Sequence, residues 1–93
     1  MEFYKRKEIK DVLSYLRMVY HPDDISFLRT VNEPRRGVGR TRIAVLKAYA
    51  AQHGGTLYDA LLANLETDSF RRSRARDYAR LIEKYRAIFE TMD

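Results

Sequence analysis

The chain has 93 residues, of which 45% are hydrophobic, and it carries 18 lysines and arginines against 13 acidic residues. A chain of this length forms one domain with a modest core, and its apolar content argues against disorder. The lack of cysteine excludes disulfides, no apolar run approaches the roughly 20 residues of a membrane span, and the N-terminus has no secretory signal. These features predict a soluble, cytoplasmic protein.

Two helices are predicted in the N-terminal third of the chain. Apolar residues recur at helical spacing, which predicts a first helix from about Arg6 to Tyr20. The sequence HPDD ends this helix because the residue before a proline disfavours the α conformation. Asp23 or Asp24 can then cap a short second helix, which we expect to end near residues 32–33.

Three further helices are predicted after a turn that contains glycine. The third begins near residues 40–41 and ends at the HGG sequence of residues 53–55, where a glycine can adopt the left-handed cap conformation. Thr56 caps a fourth helix, and a long last helix starts near residues 68–69. No segment alternates as a strand does, so we predict an all-α fold: about five helices in a small orthogonal array, with the tyrosine and leucine stripes in the core.

The excess positive charge is concentrated in one part of the chain. Residues 34–58 contain five basic residues and no acidic residue, and the rest of the chain balances at thirteen of each. This favours a polyanion as partner, and a solvated basic surface stays open as the alternative. In a second basic cluster at residues 71–80, Asp68 and Asp77 can pair with arginines three or four residues away, which predicts a solvated helix face.

Residues for catalysis are sparse. His21 and His53 each lie beside a predicted helix end and belong to no metal-ligand spacing, and capping explains the adjacent carboxylates Asp23 and Asp24. The phosphate-binding pattern G-x-x-x-x-G-K-[ST] does not occur. The sequence therefore predicts no catalytic residue, no metal site and no cofactor for this chain.

The turn PRRGVG, residues 34–39, carries the strongest functional signal. Gly37 and Gly39 permit positive φ and close approach of a ligand, and Val38 between them can point into the core. The amides of residues 39–41 would face outward at the positive end of the third helix, which suits an anion. The predicted DNA-binding residues are Arg35, Arg36, Gly37, Val38, Gly39, Arg40, Thr41 and Arg42.

A helix–hairpin–helix-like element grips a nucleic-acid backbone in this way. Such contacts position the protein on the phosphates and do not read the base sequence. An ordinary helix–turn–helix connection, with glycine for steric reasons, is the alternative. The flanking arginines and the acid-free window favour phosphate binding.

The stretch FYKRKEIKDVLSYLRMVYHPDDISFLRTVNEPRRGVGRT follows the pattern F-x-x-R-x-E-I-K-D-x-L-x-Y-L-R, then an Asp-rich break, then I-N-x-P-x-R-G-I-G with valine, Val31 and Val38, at both isoleucine positions. With GGTLYDAL at residues 54–61, it resembles the UvrD/PcrA/Rep group of bacterial superfamily 1 DNA helicases. The resemblance implies that residues 1–93 are one domain, part of the 2B accessory subdomain of a longer ATP-dependent 3′→5′ helicase; a standalone relative is the alternative.

The resemblance also implies roles for particular residues. Glu8, Ile9, Lys10 and Asp11 would form the hinge to the motor domain, and the Gly37–Gly39 turn would contact the phosphate backbone of duplex DNA. ATP and magnesium would belong to the parent protein, since the chain carries no ATPase motif. Implied partners are duplex DNA, the parent's motor domains and a DNA-repair protein. The alternative function is a regulatory protein–protein interaction module without direct DNA contact.

Overall fold

The computed structural model describes residues 6–92, and helices are its only regular secondary structure in that range. No helix between residues 6 and 92 combines the length and the apolar character needed to cross a membrane. The helices are α1 (Arg6–Tyr20), α2 (Asp24–Thr30), α3 (Arg40–His53), α4 (Leu57–Asn64), α5 (Asp68–Arg71) and α6 (Ala75–Glu90). The predicted all-α fold is thus confirmed.

The first two helices begin and end at the predicted signals, with one difference. Helix α1 has the predicted bounds, and the Asp23 carboxylate caps α2 by accepting a hydrogen bond from the Ser26 amide at 2.7 Å. Helix α2 ends at Thr30, about two residues earlier than predicted. The reason lies in Asn32, whose side chain hydrogen-bonds to the main chain of the following turn instead of continuing the helix.

The predicted boundary between the third and fourth helices is also confirmed. Gly54 and Gly55, which follow α3, have φ values of +82° and +92°. Thr56 and Asp59 form a reciprocal capping box at the start of α4, with main-chain to side-chain distances of 3.1 Å and 3.0 Å. Local sequence signals therefore determine this whole connection.

The predicted long last helix is interrupted in the structure. Helix α5 begins at the predicted residue Asp68, but a turn separates it from α6, so the described residues form six helices rather than about five. The Ser73 hydroxyl donates to the Phe70 carbonyl at 2.7 Å and accepts from the Ala75 amide at 3.1 Å, which satisfies main-chain groups at the break. The Phe70 side chain is buried, so the break seats an aromatic ring in the core.

The core is built around aromatic rings from three helices. The rings of Phe27, Tyr58 and Tyr78 lie 5.8–6.4 Å apart, and Tyr78 meets both of the others edge to face. The Tyr58 hydroxyl donates to the Glu83 carboxylate at 2.7 Å. The other large apolar side chains that are fully buried in the described part are Met18, Val31, Val38, Leu46, Leu61, Phe70 and Ile82. This core lies directly beneath the Gly37–Gly39 turn, since Val31 and Val38 belong to it.

The prediction that the apolar stripes belong to the core is wrong for much of α1. Val12 and Leu13 are each 58% exposed, and Phe89 on α6 is 45% exposed. A wholly apolar cleft of about 290 Å³ lies between the two helices. We call this surface the α1–α6 face; its residues are Ile9, Val12, Leu13, Leu16, Tyr85, Ile88 and Phe89.

Candidate nucleic-acid interface

The Gly37–Val38–Gly39 turn is only partly as predicted. Gly37 has a φ of +76°, which confirms the expected left-handed glycine, and Val38 is completely buried, as expected for a residue that pins the turn to the core. Gly39 has a φ of −84°, so it does not use the positive φ that glycine permits. This backbone conformation suits any residue, so the fold itself does not require glycine at position 39.

The space around Gly39 is open on the outer side of the turn. A Cβ atom built on Gly39 would meet no other atom within 4 Å, whereas one on Gly37 would lie 3.6 Å from the Cβ atom of Ser73. A shallow depression beside this turn is lined by Asn32, Glu33, Arg35, Gly37 and Gly39. A ligand could therefore reach the main chain at Gly39 without displacing a side chain.

The main-chain amides of the turn divide into two sets. Asn32 Oδ1 accepts the amides of Arg36 and Val38 at 3.2 Å and 3.0 Å, and Asn32 Nδ2 donates to the Val38 carbonyl. The amides of residues 39–41, at the start of α3, have no acceptor among residues 6–92. The donors expected to face a phosphate are thus available, while Asn32 shapes the turn that presents them.

Asn32 was not among the predicted functional residues, although the sequence contained a signal for it. An asparagine that directly follows a helix often bonds to the main chain a few residues further on. Asn32 also lies where the sequence predicts the end of α2, near residues 32–33. The structure assigns it to the turn, where it orders two amides and one carbonyl.

Three of the predicted residues present polar groups outward. Arg35, Arg40 and Thr41 are exposed, and Arg35 borders the depression. Arg42 is half-buried; its Nε donates to the Ser69 carbonyl and its Nη1 to the Gly37 carbonyl, each at 2.8 Å. Arg42 therefore braces the turn against the segment around α5, and Arg35 and Arg40 are the exposed cations closest in sequence to the available amides.

Arg36 lies inward, unlike the outward guanidinium that the sequence predicted. Its side chain is 7% exposed, and Nη1 donates to the Tyr15 hydroxyl at 2.9 Å and to the carbonyls of Thr30 and Val31 at 3.0 Å. The guanidinium carbon also lies 5.0 Å from the ring centre of Tyr78. Arg36 thus binds the protein's own acceptors, which leaves a surface phosphate out of reach of these donors.

One carboxylate borders the depression and is paired. Lys7 Nζ lies 3.0 Å from the Glu33 carboxylate and 2.7 Å from that of Asp11. Hydrogen bonds to Asp11 and Glu33 raise the pKa of Lys7, so the ammonium keeps its charge near Glu33. The cation offsets part of the repulsion that Glu33 would exert on an anion in the depression.

The second basic cluster forms the predicted local ion pairs. Asp68 pairs with Arg71 at 2.8 Å and Asp77 with Arg74 at 2.9 Å, each three residues apart on an exposed surface. The Arg74 amide donates to the Arg36 carbonyl at 2.7 Å. The connection between α5 and α6 therefore lies against the glycine turn and supports it.

The predicted hinge residues all lie near the start of α1. Glu8, Ile9 and Lys10 are exposed, and Asp11 accepts a hydrogen bond from Arg29 Nε of α2 at 3.0 Å. The hydrogen bond from Lys7 lowers the pKa of Asp11. This end of α1 is thus tied to α2 by a charge pair, and the hinge role stays a prediction.

The histidines show no metal-binding arrangement. His53 stacks on Tyr49 with ring centres 4.0 Å apart, at the C-terminal end of α3. Within residues 6–92, no group of three or more histidine, aspartate or glutamate side chains could hold a metal ion. His53 is therefore explained by packing at a helix end.

The fold and the turn together define a class: a small all-α domain in which a glycine turn presents helix N-terminal amides. A family model for the UvrD-like helicase C-terminal domain matches residues 1–91, and the chain belongs to this family. The chain is 54% identical over 61 residues to the ATP-dependent DNA helicase PcrA of Bacillus subtilis and 49% identical to PcrA of Staphylococcus aureus strain Mu50. Each match covers 64% of this chain and 8% of the relative, so the chain spans a small part of these helicases.

Proposed function

We propose that residues 1–93 form part of the 2B-like accessory subdomain of an ATP-dependent 3′→5′ DNA helicase, and bind the backbone of duplex DNA without sequence preference. The observation that carries this proposal is the set of available amides at residues 39–41, open to solvent at the start of α3. Family membership and the PcrA relatives support the helicase context.

The proposed contact is electrostatic and geometric. A phosphate would accept hydrogen bonds from the amides of residues 39–41, at the positive end of the α3 dipole. The exposed side chains of Arg35 and Arg40 would add two charges beside it. Because these groups meet phosphate and not base edges, the contact would hold any duplex equally well.

The chemistry of the helicase reaction would lie elsewhere in the parent protein. ATP and magnesium would bind to the motor domains, and this subdomain would bind the duplex. The start of α1, with Glu8, Ile9, Lys10 and Asp11, would serve as the hinge between the two. Two observations support this role. Helix α1 packs against α2 and α6, and the Tyr15 hydroxyl of α1 accepts a hydrogen bond from Arg36 of the turn, so a movement of α1 would also move the turn.

A salt titration tests the proposal. A labelled duplex is titrated with the wild-type chain at several salt concentrations, together with Arg40→Gln, Gly39→Ala and Lys84→Gln. Arg40→Gln should weaken binding and lower the slope of log K against log salt by about 0.9, the value for one lost phosphate contact. Gly39→Ala should weaken binding at an unchanged slope, because a methyl group would occupy the approach to the amides.

Lys84→Gln is the matched control. It removes one positive charge from an exposed site far from the turn. Arg74 at the start of α6 bonds to the turn, and Lys84 lies about 15 Å further along the same helix. Equal losses of affinity in Arg40→Gln and Lys84→Gln would mean diffuse attraction and would contradict the proposed site. Binding that differs strongly between duplexes of unrelated sequence would contradict the lack of sequence preference.

A second candidate function is a protein-contact module, and the α1–α6 face favours it. Tyr85 on this face is 42% exposed, whereas Tyr58 is buried in the core. An apolar surface that joins two helices is typical of a protein interface. The motor domains of the parent helicase or a DNA-repair protein would be the partners, and both functions can reside in one chain.

The two functions use different surfaces and can be separated. Val12→Gln on the α1–α6 face should weaken binding to the isolated motor domains and leave duplex affinity unchanged. Arg40→Gln should do the reverse. If Val12→Gln leaves the affinity for the motor domains unchanged, the α1–α6 face is not their contact surface.

A further inference from the structure

We propose that Arg36 is a positioning residue that holds the phosphate-binding turn in place from inside the protein. This inference rests on the proposed function and adds a role for a residue that the proposed contact itself does not use. Its side chain is buried, and its main chain belongs to the turn. Arg36 therefore links the core to the amides of residues 39–41.

The side chain of Arg36 joins three helices at one point. Its Nη1 donates to the Tyr15 hydroxyl of α1 and to the carbonyls of Thr30 and Val31 at the C-terminal end of α2. Its guanidinium also lies over the ring of Tyr78 of α6, 5.0 Å from the ring centre. A cation at a helix C-terminus is favoured by the helix dipole, so this position suits a buried arginine.

The main chain of Arg36 connects these side-chain bonds to the turn. Its amide donates to Asn32 Oδ1, which also accepts the Val38 amide, and its carbonyl accepts the Arg74 amide. Gly39 follows Val38 directly. Since Arg36 and Val38 share the Asn32 acceptor, a shift of the Arg36 side chain would change the orientation in which the next amides face solvent.

A positioning residue and a phosphate contact predict different salt behaviour. Loss of a contact removes one released counterion, so the salt slope falls by about 0.9. Loss of a positioning residue leaves the number of neutralised phosphates unchanged, so affinity falls while the slope stays. Arg36→Gln, which removes the charge, should therefore lower affinity at an unchanged slope, in contrast to Arg40→Gln.

Tyr15→Phe provides a milder variant in case Arg36→Gln does not fold. It removes the hydroxyl that accepts from Arg36 and that is placed to donate to the carbonyls of Thr30, at 2.9 Å, and Glu33, and it leaves the ring in place. We expect duplex affinity to fall about threefold to tenfold, the factor for one net hydrogen bond, with the same slope. Tyr85→Phe, the same change on the exposed part of α6, is the control and should leave affinity unchanged.

Amide hydrogen exchange gives a readout that does not depend on DNA. In Tyr15→Phe, the Val38 and Arg74 amides, which bond to Asn32 and Arg36, should exchange about threefold to tenfold faster, with the Leu61 amide of α4 unchanged. A uniform increase would indicate a purely structural role and would overturn the proposal.

Different results would overturn the positioning role of Arg36 and DNA binding by the chain. If the wild-type chain does not bind the duplex, the proposed function and the role of Arg36 in it both fall. If the wild type binds but Tyr15→Phe keeps its affinity and its Val38 exchange rate, the positioning role alone is overturned. A slope reduced by about 0.9 in Arg36→Gln would also overturn it, since Arg36 would then contact phosphate.

Discussion

The Thr30 hydroxyl of α2 lies 2.6 Å from the Tyr78 hydroxyl of α6, and both side chains are completely buried. Thr30 donates its own proton to the Ser26 carbonyl at 2.7 Å, so Tyr78 must be the donor to Thr30. Burial raises the pKa of Tyr78, which keeps the phenol protonated for this bond. The pair joins two helices that also hold the Arg36 guanidinium, directly beneath the glycine turn.

Thr30→Val should destabilise the fold by about 1–3 kcal/mol, because the Tyr78 hydroxyl would remain buried without its acceptor. Urea unfolding followed by circular dichroism measures this change. The double variant Thr30→Val with Tyr78→Phe should be destabilised by less than the sum of the single changes, since no donor is then left unpaired. Strictly additive effects would show that the two hydroxyls do not interact.

Gly37→Ala and Gly39→Ala should differ in their effect on stability. At Gly37 the φ of +76° strains any residue with a Cβ atom, so alanine should cost about 1–2 kcal/mol. At Gly39 the φ of −84° and the open surroundings accommodate alanine, so the free energy of unfolding should change by less than about 0.5 kcal/mol. Thermal unfolding of both variants checks this, and a reversed order would contradict the geometry of the turn.

The capping carboxylate of Asp23 should make stability depend on pH. The hydrogen bond from the Ser26 amide, followed by that from Arg17, lowers the pKa of Asp23 in the folded state. A lowered pKa means that ionised Asp23 stabilises the fold above its unfolded value of about 3.9, and that this contribution disappears as pH falls through the folded pKa. Asp23→Asn keeps a cap acceptor without the charge.

At pH 7, Asp23→Asn should be less stable than the wild type by roughly 0.5 kcal/mol, because the partners are partly exposed and the charge is screened. The difference should shrink as the pH falls through the folded pKa of Asp23, because the wild-type carboxyl then becomes protonated. Urea unfolding at pH 7 and at a series of acidic pH values measures it. A difference that grows on acidification would show that the folded pKa of Asp23 is raised, not lowered.

Local signals predicted the elements that depend on local bonds. Asp23 before α2 and Thr56 before α4 cap their helices by contacts within three residues, so their sequence neighbours suffice. The break between α5 and α6 is not predictable from local sequence, because it depends on the burial of Phe70 and on the bond from Arg74 to Arg36, which are tertiary features.

The candidate site was predictable in its main chain but not in its charges. Glycines, a proline and a helix start indicated the turn and its available amides. The inward course of Arg36 could not be predicted, because its acceptors come from α1 and α2, distant in sequence. Periodicity likewise identified the apolar stripe of α1 but contained no information on whether another helix covers it.

The exposed stripe should tolerate polar substitution that the core does not. Leu13 on the α1–α6 face is 58% exposed, so Leu13→Gln should change the free energy of unfolding by less than about 0.5 kcal/mol. Leu61, which is completely buried, provides the comparison, and even the apolar truncation Leu61→Ala should cost about 2–5 kcal/mol. Urea unfolding compares the two. Because its side chain is exposed, Leu13→Gln should also reduce the binding of a hydrophobic dye to the protein. A loss of stability comparable to that of Leu61→Ala would show instead that Leu13 is part of the core.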